Sequence, residues 1–231
     1  MRRQHGFTLI EIAIVLVIIG LLLGGILKGQ ELINSARVRN LADTATGIQA
    51  AYYGFIDRYP RIPGDWNATG ATQAIGVTIV DGGNDNGQID NDVAPIWAEP
   101  NALWVQLAAA GFIQGSYAGD VNAPTNANGV APLNAFNNVM IMARTDDFEA
   151  APSVQLHLLL GAGIPVDVMQ ELDLKLDDGA PDSGDLRASI SAGADLGPAA
   201  ESEAACVQGA SPNMTWNIRG DAQRCNAVYI F

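Results

Sequence analysis

"GFTLIEIAIVLVIIGLLLGGIL", residues 6–27, decides how the rest of the chain is read. From Phe7 to Leu27 there are 21 residues and a single charge, Glu11. As an α-helix this run is about 31 Å long, which just crosses a hydrocarbon core. A carboxylate at the centre of a membrane helix costs roughly 2.5–3.5 kcal/mol even on mild insertion scales, so an acid kept in such a run calls for a purpose. The run is too long for the apolar region of a secretory signal peptide, and "KGQELINSARVRN" behind it offers no A-x-A-like cleavage site. Charge leaves the orientation open. Arg2, Arg3 and the terminal amine precede the run, while Lys28, Arg37 and Arg39 follow it.

Beyond the run, apolar residues continue at helical spacing. Leu41, Ile48 and Phe55 repeat every seventh position, as do Ala45, Tyr52 and Tyr59, and together they form one stripe for core packing. Pro60 ends the pattern by pushing Tyr59 toward an extended conformation. The spacing therefore predicts one helix from about Phe7 to about Arg58, half in lipid and half amphipathic. Farther on, "RIPGDWNATGATQAIG" reads as loop, and "VTIV" and "GQID" as the flanks of a hairpin with "DGGNDN" at its tip. "EPNALWVQLAAAG" and "IPVDVMQELDLKLDDG" read as short helices, each with proline near its start and glycine after its end. "FNNVMIMAR", "VQLHLLL", "LRASIS" and "NAVYIF" read as strands. Strands, short helices and loop-like connections after one long helix make an α+β chain.

The formal charge is −13, from 25 acidic and 12 basic residues, and 20 of the acids lie after residue 80. So acidic an exposed part repels nucleic acid and anionic lipid headgroups, and no nucleic-acid partner is expected. Cys206 and Cys225 are the only cysteines. An isolated pair behind a membrane segment predicts one structural disulfide outside the cytoplasm, the alternative being two unrelated buried thiols.

Signals for catalysis are sparse. The sequence has no G-x-S-x-G elbow, no phosphate-binding glycine loop followed by Lys-Ser/Thr and no histidine pair at metal spacing. Apart from His5 the only histidine is His157, expected as a satisfied sheet or core residue within "VQLHLLL". One stretch, "DGGNDNGQIDND", has hard oxygen ligands for a cation, with Asp81, Asp85, Asp90 and Asp92 as candidate calcium ligands. It fails the EF-hand pattern, because aligning Gly87 with the invariant glycine puts Gly82 first and Val93 last. A hydrated turn is the other reading, since Asn and Asp suit turns. Asp177, Asp178, Asp182 and Asp185 crowd together in a similar way.

The order of features at the N-terminus is a short basic leader "MRRQHG", then "FTLIE", then the rest of the apolar helix. In this it resembles the type IV pilins and the pseudopilins of type II secretion, from Gly6 to about Asn40. The resemblance implies cleavage by a prepilin peptidase between Gly6 and Phe7, N-methylation of Phe7, and a role for Glu11 in assembly with other pilin-like subunits. It implies a pilin-like α+β fold, with the long N-terminal helix packed on a C-terminal head that holds an antiparallel β-sheet. The divisions would be a leader at residues 1–6, a transmembrane half at 7–27, an amphipathic half at 28–59 and a head at 60–231. It also implies residence in the bacterial inner membrane as a single-pass protein, then in a filament at the cell surface or in the periplasm. The function would be structural and not enzymatic, with no cofactor required; some pseudopilins bind calcium in their heads. Many members carry proline where this chain has Lys28, so a break in the helix there is not implied. A membrane-tethered periplasmic binding protein or enzyme, using the helix only as an anchor, is the competing class.

Overall fold

The computed structural model describes residues 9–91, 95–151, 153–189, 202 and 204–230. Its first element, α1, runs without interruption from Leu9 to Arg58, 50 residues. The chain divides into two compact bodies, one ending at Arg37 and one beginning at Val38. In the first body every side chain of α1 from Leu9 to Leu27 is exposed, and all but Glu11 are apolar or glycine. A helix that is apolar all round is made for lipid, and this one is long and apolar enough to cross a membrane.

From Val38 onward the same helix has one buried face: Val38, Leu41, Ala42, Ala45, Ile48, Ala51, Tyr52 and Phe55. The steps of three and four residues keep these side chains on one stripe. Phe55 anchors its end, meeting Trp66 and Phe112 edge-on with ring centroids 6.1 and 5.9 Å apart.

The head then adds α2 (Ala68–Ile75), α3 (Ala98–Ala109), β1 (Ile141–Thr145), β2 (Gln155–Leu159), α4 (Val166–Leu176), β3 (Leu186–Ala188), β4 (Val207–Gln208), β5 (Thr215–Trp216) and β6 (Ala227–Ile230). Four strands form one antiparallel sheet in the order β1-β2-β6-β3, and β4 pairs with β5 in a separate ribbon. α3 is buried along its length from Glu99 to Leu107, more fully than a single stripe of Leu103, Trp104 and Leu107 implies. The architecture is α+β with a long apolar N-terminal helix.

Two local expectations are corrected. The segment read as loop contains α2, which its ends create: the Asn67 side chain accepts from Gly70 N–H at 2.8 Å, and left-handed Gly76 (φ 82°) closes onto Thr72 O. The hairpin around "DGGNDN" does not form among the described residues 77–91. Its two isoleucines, Ile79 and Ile89, are buried instead, at 5% and 1% exposure. Between them Gly82 and Gly83 lie flat against the backbone of Asp65–Ala68, where an added Cβ would sit within 2.4–2.6 Å of carbonyl oxygens. Strand pairing lost because this segment had a better surface on which to lie.

Cys206 and Cys225 are joined, with Cα atoms 5.7 Å apart. Cys206 closes a short 3-10 turn (Ala204–Cys206), and Cys225 bridges to Ile164 just before β6. The bond fastens the terminal strand to the turn that opens the β4–β5 ribbon. Closing a loop of about 20 residues is worth about 3 kcal/mol in the chain-entropy model. Urea unfolding of the oxidised protein with and without reductant should differ by that amount, and thiol labelling before reduction should find no reactive cysteine.

Candidate functional site

The acidic loop is built around two carboxylates that lie outside it. Asp65 and Glu99 are 4% and 5% exposed. Asp65 accepts the N–H groups of Asn86 (3.0 Å) and Gly87 (2.9 Å), and its carbonyl accepts that of Asp85 (3.0 Å). Glu99 spans the loop, taking Asn84 N–H on Oε1 (3.2 Å) and Asp90 N–H on Oε2 (2.7 Å). Burial, with Asp90 and Asp65 adding repulsion, pushes Glu99 up to about 7 despite these two bonds. Gln106 of α3, fully buried, donates to Trp66 O (2.7 Å) and accepts from Gly64 N–H (3.0 Å), holding the chain that carries Asp65.

The carboxylates expected as calcium ligands face different neighbours. Asp81 lies against Gly119, and Asp85 is bonded by the Asn67 side-chain amide. Asp90 takes three side-chain amides, from Asn84 (2.9 Å), Asn86 (2.7 Å) and Gln88 (2.8 Å). Burial raises its pKa, but those bonds outweigh burial and hold it below the usual carboxylate value. Asp92 lies outside the described residues.

A different trio comes within ligand distance of one another among the described residues: Asp173, Asp177 and Asp178. Asp173 accepts the Trp216 indole N–H (2.6 Å) and Gly179 N–H (3.3 Å), and burial pushes it up to about 6. Asp177 takes the N–H groups of Asp185 and Leu186, while Asp178 takes Ser183 Oγ (2.6 Å) and Ala180 N–H (2.9 Å). Asp182 takes Met214 N–H at 3.3 Å. In both clusters the acids serve as acceptors for turn amides, satisfying backbone groups that no strand or helix uses. Sequence reasoning missed Asp65, Glu99 and Gln106, because each has a partner 15 or more positions away along the chain.

A groove of about 270 Å³ runs beside α1, lined by Thr44, Gly47, Ile48, Phe112, Ile113, Gln114, Tyr117 and Pro132. Among the described residues that line it there is no carboxylate, histidine, cysteine or cation.

At the other end of the chain, Glu11 lies in the first turn of α1, exposed among Leu9, Ile10, Ile12 and Ile14. The Lys28–Glu31 ion pair (2.7 Å) marks the end of the apolar run, and the helix passes through it unbroken without the proline common in pilins. Gly6 and Phe7 lie outside the described residues. Residues 1–27 match the family model of the prokaryotic N-terminal methylation motif. The chain has a type IV pilin-like N-terminus. Comparison with curated proteins and with solved structures gives no match.

Removing the Glu99 carboxylate leaves two loop N–H groups without acceptors. Glu99→Ala should destabilise the head by about 2 kcal/mol. Hydrogen exchange should locate the loss at Asn84 and Asp90, with the sheet amides unchanged.

Proposed function

We propose that the chain is a structural subunit of a type IV pilus or of a pilus-like filament, the class that includes minor pilins and type II secretion pseudopilins. The observation that carries this reading is the methylation motif at residues 1–27, set directly on a helix that is apolar on every side up to Leu27. In this reading the precursor is held in the inner membrane by α1, and prepilin peptidase removes residues 1–6 at the cytoplasmic face. The new Phe7 amine is methylated without release of the helix. The subunit then leaves the membrane for a filament whose centre is made of apolar helices and whose acidic heads face outward. The head has no catalytic part in this scheme.

Cleavage after Gly6 creates a cation four positions before Glu11. On one helix those positions are neighbours, so a subunit can pair them by itself. Such a pair would be present in any lone subunit and would not direct assembly. In the scheme proposed here, Glu11 meets the Phe7 amine of an adjacent subunit as the incoming helix reaches the filament base. In a low-dielectric setting a carboxylate is tolerated only beside a cation, and the two coincide across subunits in one axial register. Glu11 would thus set docking and register.

Intact-mass analysis of membrane-extracted protein from a cell with active prepilin peptidase tests the reading. The expected mass lacks "MRRQHG" and gains one methyl group. The full leader retained on the mature protein would instead favour a simple anchor carrying a binding domain or enzyme.

A further inference from the structure

Gly47 stands in the amphipathic half of α1, inside the helix and exposed. Glycine is the poorest helix former after proline, so one kept in mid-helix calls for a reason. Gly54, farther along the same helix, has one: an added Cβ would come within 3.0 Å of the Phe112 ring. At Gly47 an added Cβ would meet nothing within 4 Å, so among the described residues no neighbour requires the glycine.

Gly47 also lines the groove of about 270 Å³, together with Thr44 and Ile48. These residues, at steps of three and four, share one side of α1. The facing wall is fixed in place. Phe112 N–H bonds to Leu107 O (3.0 Å) at the end of α3, and Pro132 O accepts Met140 N–H (2.8 Å). Tyr117 donates its hydroxyl to Gln114 O (3.1 Å), and its ring lies 6.4 Å from that of buried Trp104. A cleft with a fixed wall and a glycine on its helical side suits a ridge of side chains from another helix, because small residues let helices approach closely. Its volume lies below the roughly 300–1,000 Å³ common for small-molecule sites.

The lining sets the chemistry of the occupant. None of the residues lining the groove is charged, whereas residues 38–231 carry 23 acidic and 8 basic side chains. Two such heads repel one another, and least at an uncharged face. The occupant must therefore be apolar and free of charge. This chain carries such a surface itself: from Ile12 to Leu27 α1 has no charged residue, every side chain is exposed, and the described residues bury none of the apolar window.

We propose that the groove beside Gly47 receives the apolar half of α1 from a second copy of this chain, once that helix has left the membrane. The contact rests on the filament reading and adds to it the place on the head where a neighbouring helix is gripped. Before assembly, lipid covers the apolar half and the groove stands open. After assembly, each surface covers the other on an adjacent subunit. The two surfaces differ and every subunit has one of each, so the contact is head-to-tail and can repeat along a helical filament without closing on itself.

The test places the photoreactive residue p-benzoylphenylalanine at Gln114, exposed on the lining of the groove, in cells that assemble filaments. Irradiated and sheared filaments should yield an adduct of two chains whose cross-linked peptide comes from residues 9–27. Competition with wild-type chain gives a second readout. Gly47→Leu enters open space and should match wild type in urea unfolding, yet be depleted about tenfold in filaments relative to membranes, because it fills the groove. Thr46→Leu, exposed on α1 but outside the groove lining, should be incorporated normally. An adduct that maps outside residues 9–27, or no adduct in filaments that contain the processed chain, overturns the contact and leaves the filament reading in place. Normal incorporation of Gly47→Leu, or equal depletion of Thr46→Leu, does the same. Retention of the leader with absence of the chain from filaments overturns the filament reading and the contact with it.

Discussion

One uninterrupted helix has to satisfy two different solvents. Up to Leu27 its surface is apolar all round, and from Val38 a single stripe turns inward to a protein core. A helix in hydrocarbon satisfies its own backbone, so the first half needs no partner for its peptide groups. The second half takes its stability from packing, through side chains as large as Phe55 and Tyr52. Because both tasks fall on the same 50 residues, the head can be built outward from the stripe, while the apolar half stays available to lipid or to other helices.

The head manages its acidity in a consistent way. Asp65, Glu99, Asp173 and Asp177 each accept at least one backbone N–H from a loop or turn, and Asp173 also accepts an indole N–H. Long irregular connections contain peptide groups that no helix or strand satisfies, and these carboxylates take that place. The acidic composition is therefore partly structural, a means of folding loops rich in Gly, Asn and Asp. His157, expected as a satisfied sheet or core residue, is the exception: it is buried, and neither ring nitrogen has a hydrogen-bond partner among the described residues.

Much of the fold was legible because its signals are local. The apolar run and the seven-residue spacing of Leu41, Ile48 and Phe55 give α1, and Pro60 gives its end. Proline near the start and glycine after the end locate α3 and α4, and β-branched and aliphatic runs locate β1, β2, β3 and β6. What was not legible depends on distant groups. α2 is a low-propensity segment made helical by Asn67 and Gly76, and the β4–β5 ribbon has only two residue pairs. The misread hairpin lost to packing of Gly82 and Gly83 on a backbone some 15 residues earlier. The acidic spacing left a cation loop and a hydrated turn both open, and the groups that hold the loop in place, Asn67, Asp65 and Glu99, come from other elements. At the N-terminus the position of Glu11 in an apolar run was readable at once, because nothing else in that run is polar enough to compete with it.

The central claim is that Glu11 directs docking between subunits. The most direct measurement is competition in one cell between wild-type chain and Glu11→Ala, with the ratio of the two read by mass spectrometry in membranes and in sheared filaments. The account predicts near-equal amounts of processed protein in the membrane. In filaments the variant should be depleted by about tenfold or more, since losing one partner of a buried charge pair costs about 3–5 kcal/mol. Equal incorporation of Glu11→Ala along the filament would contradict it.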